Sequence, residues 1–174
     1  MDIFYNRPMK NSFTSLCKFY TTLCFGFLFA LAAPAKATTS RVGSAQDLGL
    51  GVQLGQPMGV TGKYWLNSTL AVDGFMGYHF NNNFDSHADI LWHSFSSFNV
   101  SSGRLPFYIG VGGRILGGND SQFGIRLPIG VSYLFPSEPL EAYAEVAPIV
   151  EVAPSIGIDI DGAVGLRLYI NYIH

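Results

Sequence analysis

Histidine, carboxylate and arginine side chains recur in this chain at two-residue spacing, the repeat of one face of an extended strand. His87, Asp89 and His93 share a parity, as do Asp73 with His79, Glu141 with Glu145, and Asp159 with Asp161 and Arg167; Arg114 and Arg126 sit in two further alternating segments. Histidine beside carboxylate is metal-ligand chemistry. His87 and Asp89 would lie about 7 Å apart on a strand and His93 about 20 Å from His87. The three therefore cannot form one site, and an ion there would need a neighbour such as His79. On this basis neither a metal nor a cofactor is assigned. Acyl-transfer chemistry needs serine, histidine and acid in mutual hydrogen-bond reach. His93-Ser94 supplies two of these types, but adjacent strand residues point to opposite faces.

Ion pairing is the chemistry that remains. Arg114, Arg126 and Arg167 lie on segments expected to neighbour Glu141, Glu145, Asp159 and Asp161. Charges gathered in a narrow interior must be paired or hydrated. Asp73, His79, His87, Asp89, His93, Arg114, Arg126, Glu141, Glu145, Asp159, Asp161 and Arg167 are thus expected to form a structural network inside the fold, without a catalytic residue.

The elements that must hold these residues are strands. After Thr38 no segment of useful length has helical periodicity; alternation with period two recurs, punctuated by turn residues. The alternation predicts strands over 47–56, 59–66, 69–80, 84–94, 106–116, 122–135, 140–151 and 156–170, with breaks rich in Asn, Gly, Pro and Ser. Short connections between eight strands make an antiparallel up-and-down meander, and closing it into a barrel removes both sheet edges.

Each strand has one aliphatic and one polar or small face. In the last, Ile156, Ile158, Ile160, Val164, Leu166, Leu168 and Ile170 oppose Gly157, Asp159, Asp161, Ala163, Gly165 and Arg167. A soluble carrier would turn the aliphatic face inward; a membrane barrel does the reverse. The reverse is favoured because the polar face carries Gly110, Gly112, Gly124, Gly130, Gly157 and Gly165 where a wetted face would carry lysine and glutamate. Small residues suit the cramped interior of an eight-stranded barrel. Several strands also reach the roughly 9–11 residues that a tilted membrane strand requires. Trp65, Tyr78, Phe80, Phe84, Phe107, Phe123, Tyr133, Phe135, Tyr169 and Tyr172 near strand ends are expected to form interfacial girdles.

Residues 1–37 read as a secretory signal peptide: Met9, Lys10 and Lys18 make a basic start, Phe19 to Ala33 an apolar core, and Ala35-Lys36-Ala37 a small-x-small end. Met9 is an alternative initiator. Removing this segment takes away Arg7, Lys10, Lys18, Lys36 and Asp2, so Lys+Arg falls from 10 to 6 and Asp+Glu from 12 to 11, a net charge of −5 over residues 38–174. The sparse charge excludes an ordinary soluble surface, and the lack of a basic patch excludes nucleic acid as a partner. Both cysteines, Cys17 and Cys24, fall in the signal, which leaves no disulfide or thiol chemistry afterwards.

Three stretches carry a resemblance: Gly110-Val111-Gly112-Gly113-Arg114-Ile115, Gly124-Ile125-Arg126-Leu127-Pro128-Ile129-Gly130-Val131-Ser132-Tyr133-Leu134-Phe135, and Gly165-Leu166-Arg167-Leu168-Tyr169-Ile170. They look like successive strands of small outer-membrane barrels. The architecture over 47–172 resembles that of OmpA-transmembrane-domain and OmpX-like proteins, and the strand wording is closer to an uncharacterised bacterial family of such barrels. The resemblance implies a monomeric, eight-stranded transmembrane β-barrel spanning 38–174. It would be exported through the Sec pathway, inserted by the barrel-assembly machinery and surrounded by outer-membrane lipid. The closing strand is similar to the signal read by that machinery, although Asn171-Tyr172-Ile173-His174 replaces the usual aromatic end. The expected role is structural. Two other readings stand beside it: a lipid A-modifying enzyme of the same membrane, and a soluble lipocalin-like carrier of an apolar ligand.

Overall fold

The computed structural model describes residues 47–79, 83–96, 98, 100–118 and 121–170. The 1–37 segment read as a signal peptide, Phe80 and Asn171–His174, Tyr172 among them, lie outside the described residues. Nine strands follow one another without a helix among the described residues. They are β1 (Leu48–Gln56), β2 (Met58–Trp65), β3 (Leu70–Tyr78), β4 (Phe84–Ser94), β5 (Phe107–Leu116), β6 (Gln122–Arg126), β7 (Ile129–Leu134), β8 (Leu140–Ala153) and β9 (Gly157–Tyr169).

Every pairing is antiparallel, and the pairings run in a ring. Successive strands pair from β1 to β5, β5 pairs with β6 and β7, both of these pair with β8, β8 pairs with β9, and β9 returns to β1. The single strand expected over 122–135 is thus two, and the physical reason is Pro128. Leu127-Pro128 lies opposite Ala147-Pro148, and neither proline has an N–H to give the ladder. The Leu127 N–H still reaches the Pro148 carbonyl at 2.9 Å, and the Gly110 N–H reaches that of Pro128 at 2.8 Å. Register survives the interruption: Arg126 faces Ile149 before it and Ile129 faces Val146 after it. The two strands form one stave of eight.

Local chemistry sets the connections. Between β2 and β3 the Asn67 carboxamide oxygen accepts hydrogen bonds from the Thr69 and Leu70 N–H groups at 2.9 and 2.8 Å, the side-chain mimic of a turn. Between β4 and β5, Gly103 takes a positive φ of 68° where a Cβ would come within 2.6 Å of the Leu134 carbonyl oxygen. Arg104 and Leu134 then exchange two backbone hydrogen bonds at 3.0 and 2.8 Å, fastening this connection to β7.

Burial alternates with the sequence, and its direction is inverted relative to a soluble protein. Val52, Leu54, Val60, Met76, Ile109, Ile125, Ile129, Val146 and Leu168 are between 40 and 60 % exposed on the outer face. The polar parity of each strand is buried within the ring. Glycines make room there for aromatic rings across the ladder: Gly165 faces Tyr143, and a Cβ on it would stand 2.4 Å from that ring. Gly130 faces Tyr108 in the same way. Ala142, on the parity opposite Glu141 and Glu145 and so expected on the aliphatic face, is only 5 % exposed.

Candidate functional site

The buried polar side chains gather into three tiers stacked along the ring. The first lies at the end bearing the β1–β2, β3–β4, β5–β6 and β8–β9 connections. His79 follows β3, Asp85 opens β4, Arg114 ends β5, and Asp159 and Asp161 open β9. Arg114 donates from Nε to Asp85 Oδ2 at 2.7 Å and from Nη1 to Asp159 Oδ2 at 2.8 Å, while its Nη2 stands 2.9 Å from His79 Nε2. His79 Nε2 is also 3.1 Å from Asp85 Oδ2 and 3.7 Å from Asp161 Oδ1.

The middle tier holds two arginines, each shared between strands. Arg126 bridges Asp89 on β4 and Glu145 on β8, and Tyr108 donates to the second oxygen of Glu145 at 2.9 Å. Arg167 pairs with Asp73 on β3 and donates to Thr61 Oγ1 from Nη2 at 2.8 Å, with its guanidinium 3.9 Å from the centre of the Tyr143 ring. Tyr143 in turn donates to Gln53 at 2.8 Å. His87 stacks on Phe75 with ring centres 4.8 Å apart and reaches Asp85 at 3.4 Å, joining this tier to the first.

The third tier is built on a lysine. Lys63 Nζ donates to Glu141 Oε1 at 2.7 Å and stands 2.9 Å from His93 Nε2, with the Trp65 ring centre 4.7 Å away. Tyr169 gives its hydroxyl proton to Glu141 Oε2 at 2.6 Å and accepts from the Trp65 indole at 2.9 Å. Outside the strands beyond this tier, burial draws the Arg104 guanidinium pKa down and the Asp47 charge opposes the shift.

Of the twelve residues expected inside, all but Asp159 are buried. The Asp159 side chain is 41 % exposed at the rim, because the ladder between β9 and β1 begins only at Gly162 and leaves the first residues of β9 uncovered. Trp65 and Tyr169, expected in an interfacial girdle, are instead 0 and 1 % exposed; their parity turns them inward, where the indole–phenol–carboxylate chain uses their polar ends. Tyr78 and Phe123 do face outward, 57 and 47 % exposed. His93 is buried while the adjacent Ser94 lies on the opposite, half-exposed face, so the two share no catalytic geometry. His79 does not complete a ligand set with His87 and Asp89: it closes one with Asp85 and Asp161, and His87 and Asp89 close another with Asp73.

Sequence reasoning missed Lys63, Asp85 and the tyrosines at 108, 143 and 169. Parity carried the signal for Asp85, which stands two before His87. Among the described residues the three tiers hold seven carboxylates (Asp73, Asp85, Asp89, Glu141, Glu145, Asp159, Asp161) against four cations (Lys63, Arg114, Arg126, Arg167). An ion pair withdrawn from water recovers its desolvation cost only when further hydrogen bonds complete it. The tyrosine, threonine and glutamine partners fill that role. Chemically the arrangement is a cross-braced plug that ties opposite walls together.

No family model matches the chain, and no curated protein or solved structure matches it either.

Proposed function

We propose that the protein is a small integral outer-membrane β-barrel, closed inside by its charge network and structural in role, without catalysis. The observation that carries this reading is the inverted distribution of side chains: charges within the ring, aliphatic side chains around its outside. In water the outer face would be a continuous apolar surface far larger than monomeric soluble proteins tolerate. In a bilayer it is the matching surface, and a closed ring leaves no backbone edge to hydrocarbon. The staves formed by β8, by β9 and by β6 with β7 meet the roughly 9–11 residues needed to span with tilt. An eight-stave interior has space for side chains and not for a water channel, which fits a plug and disfavours a porin. The partners under this reading are outer-membrane lipid and, during insertion, the barrel-assembly machinery; the chain acts as a monomer and takes neither nucleic acid nor cofactor.

Refolding of residues 38–174 with and without detergent tests the membrane reading. A compact band whose gel mobility shifts on heating, formed only with detergent, is the expected result. Folding in plain buffer would overturn it. The non-catalytic part has its own test: lipid A profiles by mass spectrometry are expected to be identical with and without expression, and a changed acyl pattern would overturn that part alone.

A further inference from the structure

We infer that the open edge of β9, from Gly157 to Asp161, docks an extended segment of another polypeptide in which apolar and basic residues alternate. The β8–β9 ladder runs out to Glu151 opposite Gly157, whereas the β9–β1 ladder stops at Gly162 opposite Gln56, where β1 ends. Among the described residues no strand pairs with the β1 side of β9 beyond that point. Parity identifies the groups left open. Ile170 gives its N–H to Leu48 of β1 at 2.9 Å, and Tyr169 gives its N–H to Pro139, just before β8, at 2.7 Å. Even-numbered residues thus address β1, so Ile158 and Ile160 address the open edge. The Ile160 N–H accordingly meets no strand and is taken at 2.9 Å by Asp159 Oδ1.

The outer face of this segment is apolar. Ile156, Ile158 and Ile160 are 88, 82 and 64 % exposed, more than any other large hydrophobic residue described. Under the membrane reading an unpaired backbone edge does not sit in hydrocarbon, so these isoleucines stand in water. An apolar row beside unpaired N–H and carbonyl groups is a template for an added strand. The edge itself follows from the strand pairing alone, whichever solvent surrounds the ring.

Charge states which strand fits. On the inner face Asp159 is half-exposed, and the Glu151 carboxylate lies over Gly157, where a Cβ would stand 2.7 Å from its Oε2. Among the described residues no cation pairs with Glu151, and Arg114 is already shared between Asp85 and Asp159. A lysine opposite Gly157 would reach Glu151 across the bare glycine. A lysine opposite Asp159 would meet the oxygen released when the incoming carbonyl takes the Ile160 N–H. A second copy of β9 fits badly. Pairing Ile158 with its counterpart would set the copy's aspartate opposite Gly157, against the Glu151 carboxylate, and like charges so placed repel.

The probe is a fluorescein-labelled peptide, Val-Lys-Val-Lys-Val, whose residues would face Ile160, Asp159, Ile158, Gly157 and Ile156 in turn. Fluorescence anisotropy with folded protein, in the medium the refolding assay selects, should show saturable binding of one peptide per chain. Failure here is therefore distinct from failure of the membrane reading. Val-Glu-Val-Glu-Val, and the lysine peptide N-methylated at its central valine, should each bind at least about tenfold more weakly. Ile158→Pro removes an N–H from the open edge and none from the β8 ladder, and should abolish binding. Glu151→Lys should weaken the lysine peptide by about tenfold and favour the glutamate peptide. Should Ile158→Pro fail to fold, Glu151→Lys and the methylated peptide carry the comparison. No saturable binding to the folded wild type overturns the inference. So does binding indifferent to methylation and charge, which would be adhesion to the isoleucines alone. A dimer of the chain by itself that Ile158→Pro abolishes, read by sedimentation, also overturns it by making a second copy the occupant.

Discussion

Arg126 shows how tightly a single residue is bound into this molecule. It is 1 % exposed, its guanidinium ties β4 to β8 through Asp89 and Glu145, and Asp89 Oδ1 has no second donor to fall back on. Replacing it by leucine keeps much of the volume and strands two buried carboxylates. Arg126→Leu is therefore expected to cost on the order of 3–5 kcal/mol, read as a lower urea midpoint for the refolded protein; unchanged urea stability would place Arg126 in water. Lys63 differs, since its ammonium bonds both Glu141 and His93 and lies over the Trp65 ring. Nothing in the spacing of this one lysine distinguishes it from a solvent-exposed residue, so its burial was not legible beforehand. Asp85 was legible through its parity with His87, and only its place next to a turn concealed it.

Strands are the scale at which the sequence speaks most clearly. Alternation delimits all eight staves to within two residues at each end, because one buried face fixes register throughout a strand. It does not register the break at Leu127-Pro128, since Pro128 sits on the inward parity with Arg126, Gly130 and Ser132 and leaves the alternation of the two faces intact. Nor can alternation say which face is inside; that depends on how the ring closes, a relation among strands far apart in the chain. Position 127 tests the orientation. Leu127 is 43 % exposed on the outer wall between β6 and β7. Leu127→Arg should destabilise folding in lipid vesicles by roughly 2–4 kcal/mol if mid-bilayer lipid surrounds it, measured by denaturant titration in vesicles. Little effect there would count against an outward lipid contact.

The inverted distribution of charge has a consequence for the molecule as a whole. Among the described residues the trypsin sites are Lys63, Arg104, Arg114, Arg126 and Arg167, and every one except Arg104 is buried within the ring. Trypsin added to folded protein should therefore cut the span from β1 to β9 at Arg104 or not at all, and even that bond lies in a segment held by paired hydrogen bonds to Leu134. Boiled protein should be cut at all five. Mass spectrometry of the fragments reads the result, and early cleavage after Arg126 or Arg167 would mean that the charged face looks outward.

The pairing of β1 with β9 also orders events in time. Leu50 faces Leu168, 118 positions later in the chain. At a synthesis rate of about 5–20 residues per second, on the order of 6–24 s separate the two partners at the ribosome. The first strand is made long before the strand that will cover its edge exists. Until then its hydrogen-bonding groups and the aliphatic face beside them need an escort, so the final geometry already implies a period of custody between synthesis and closure.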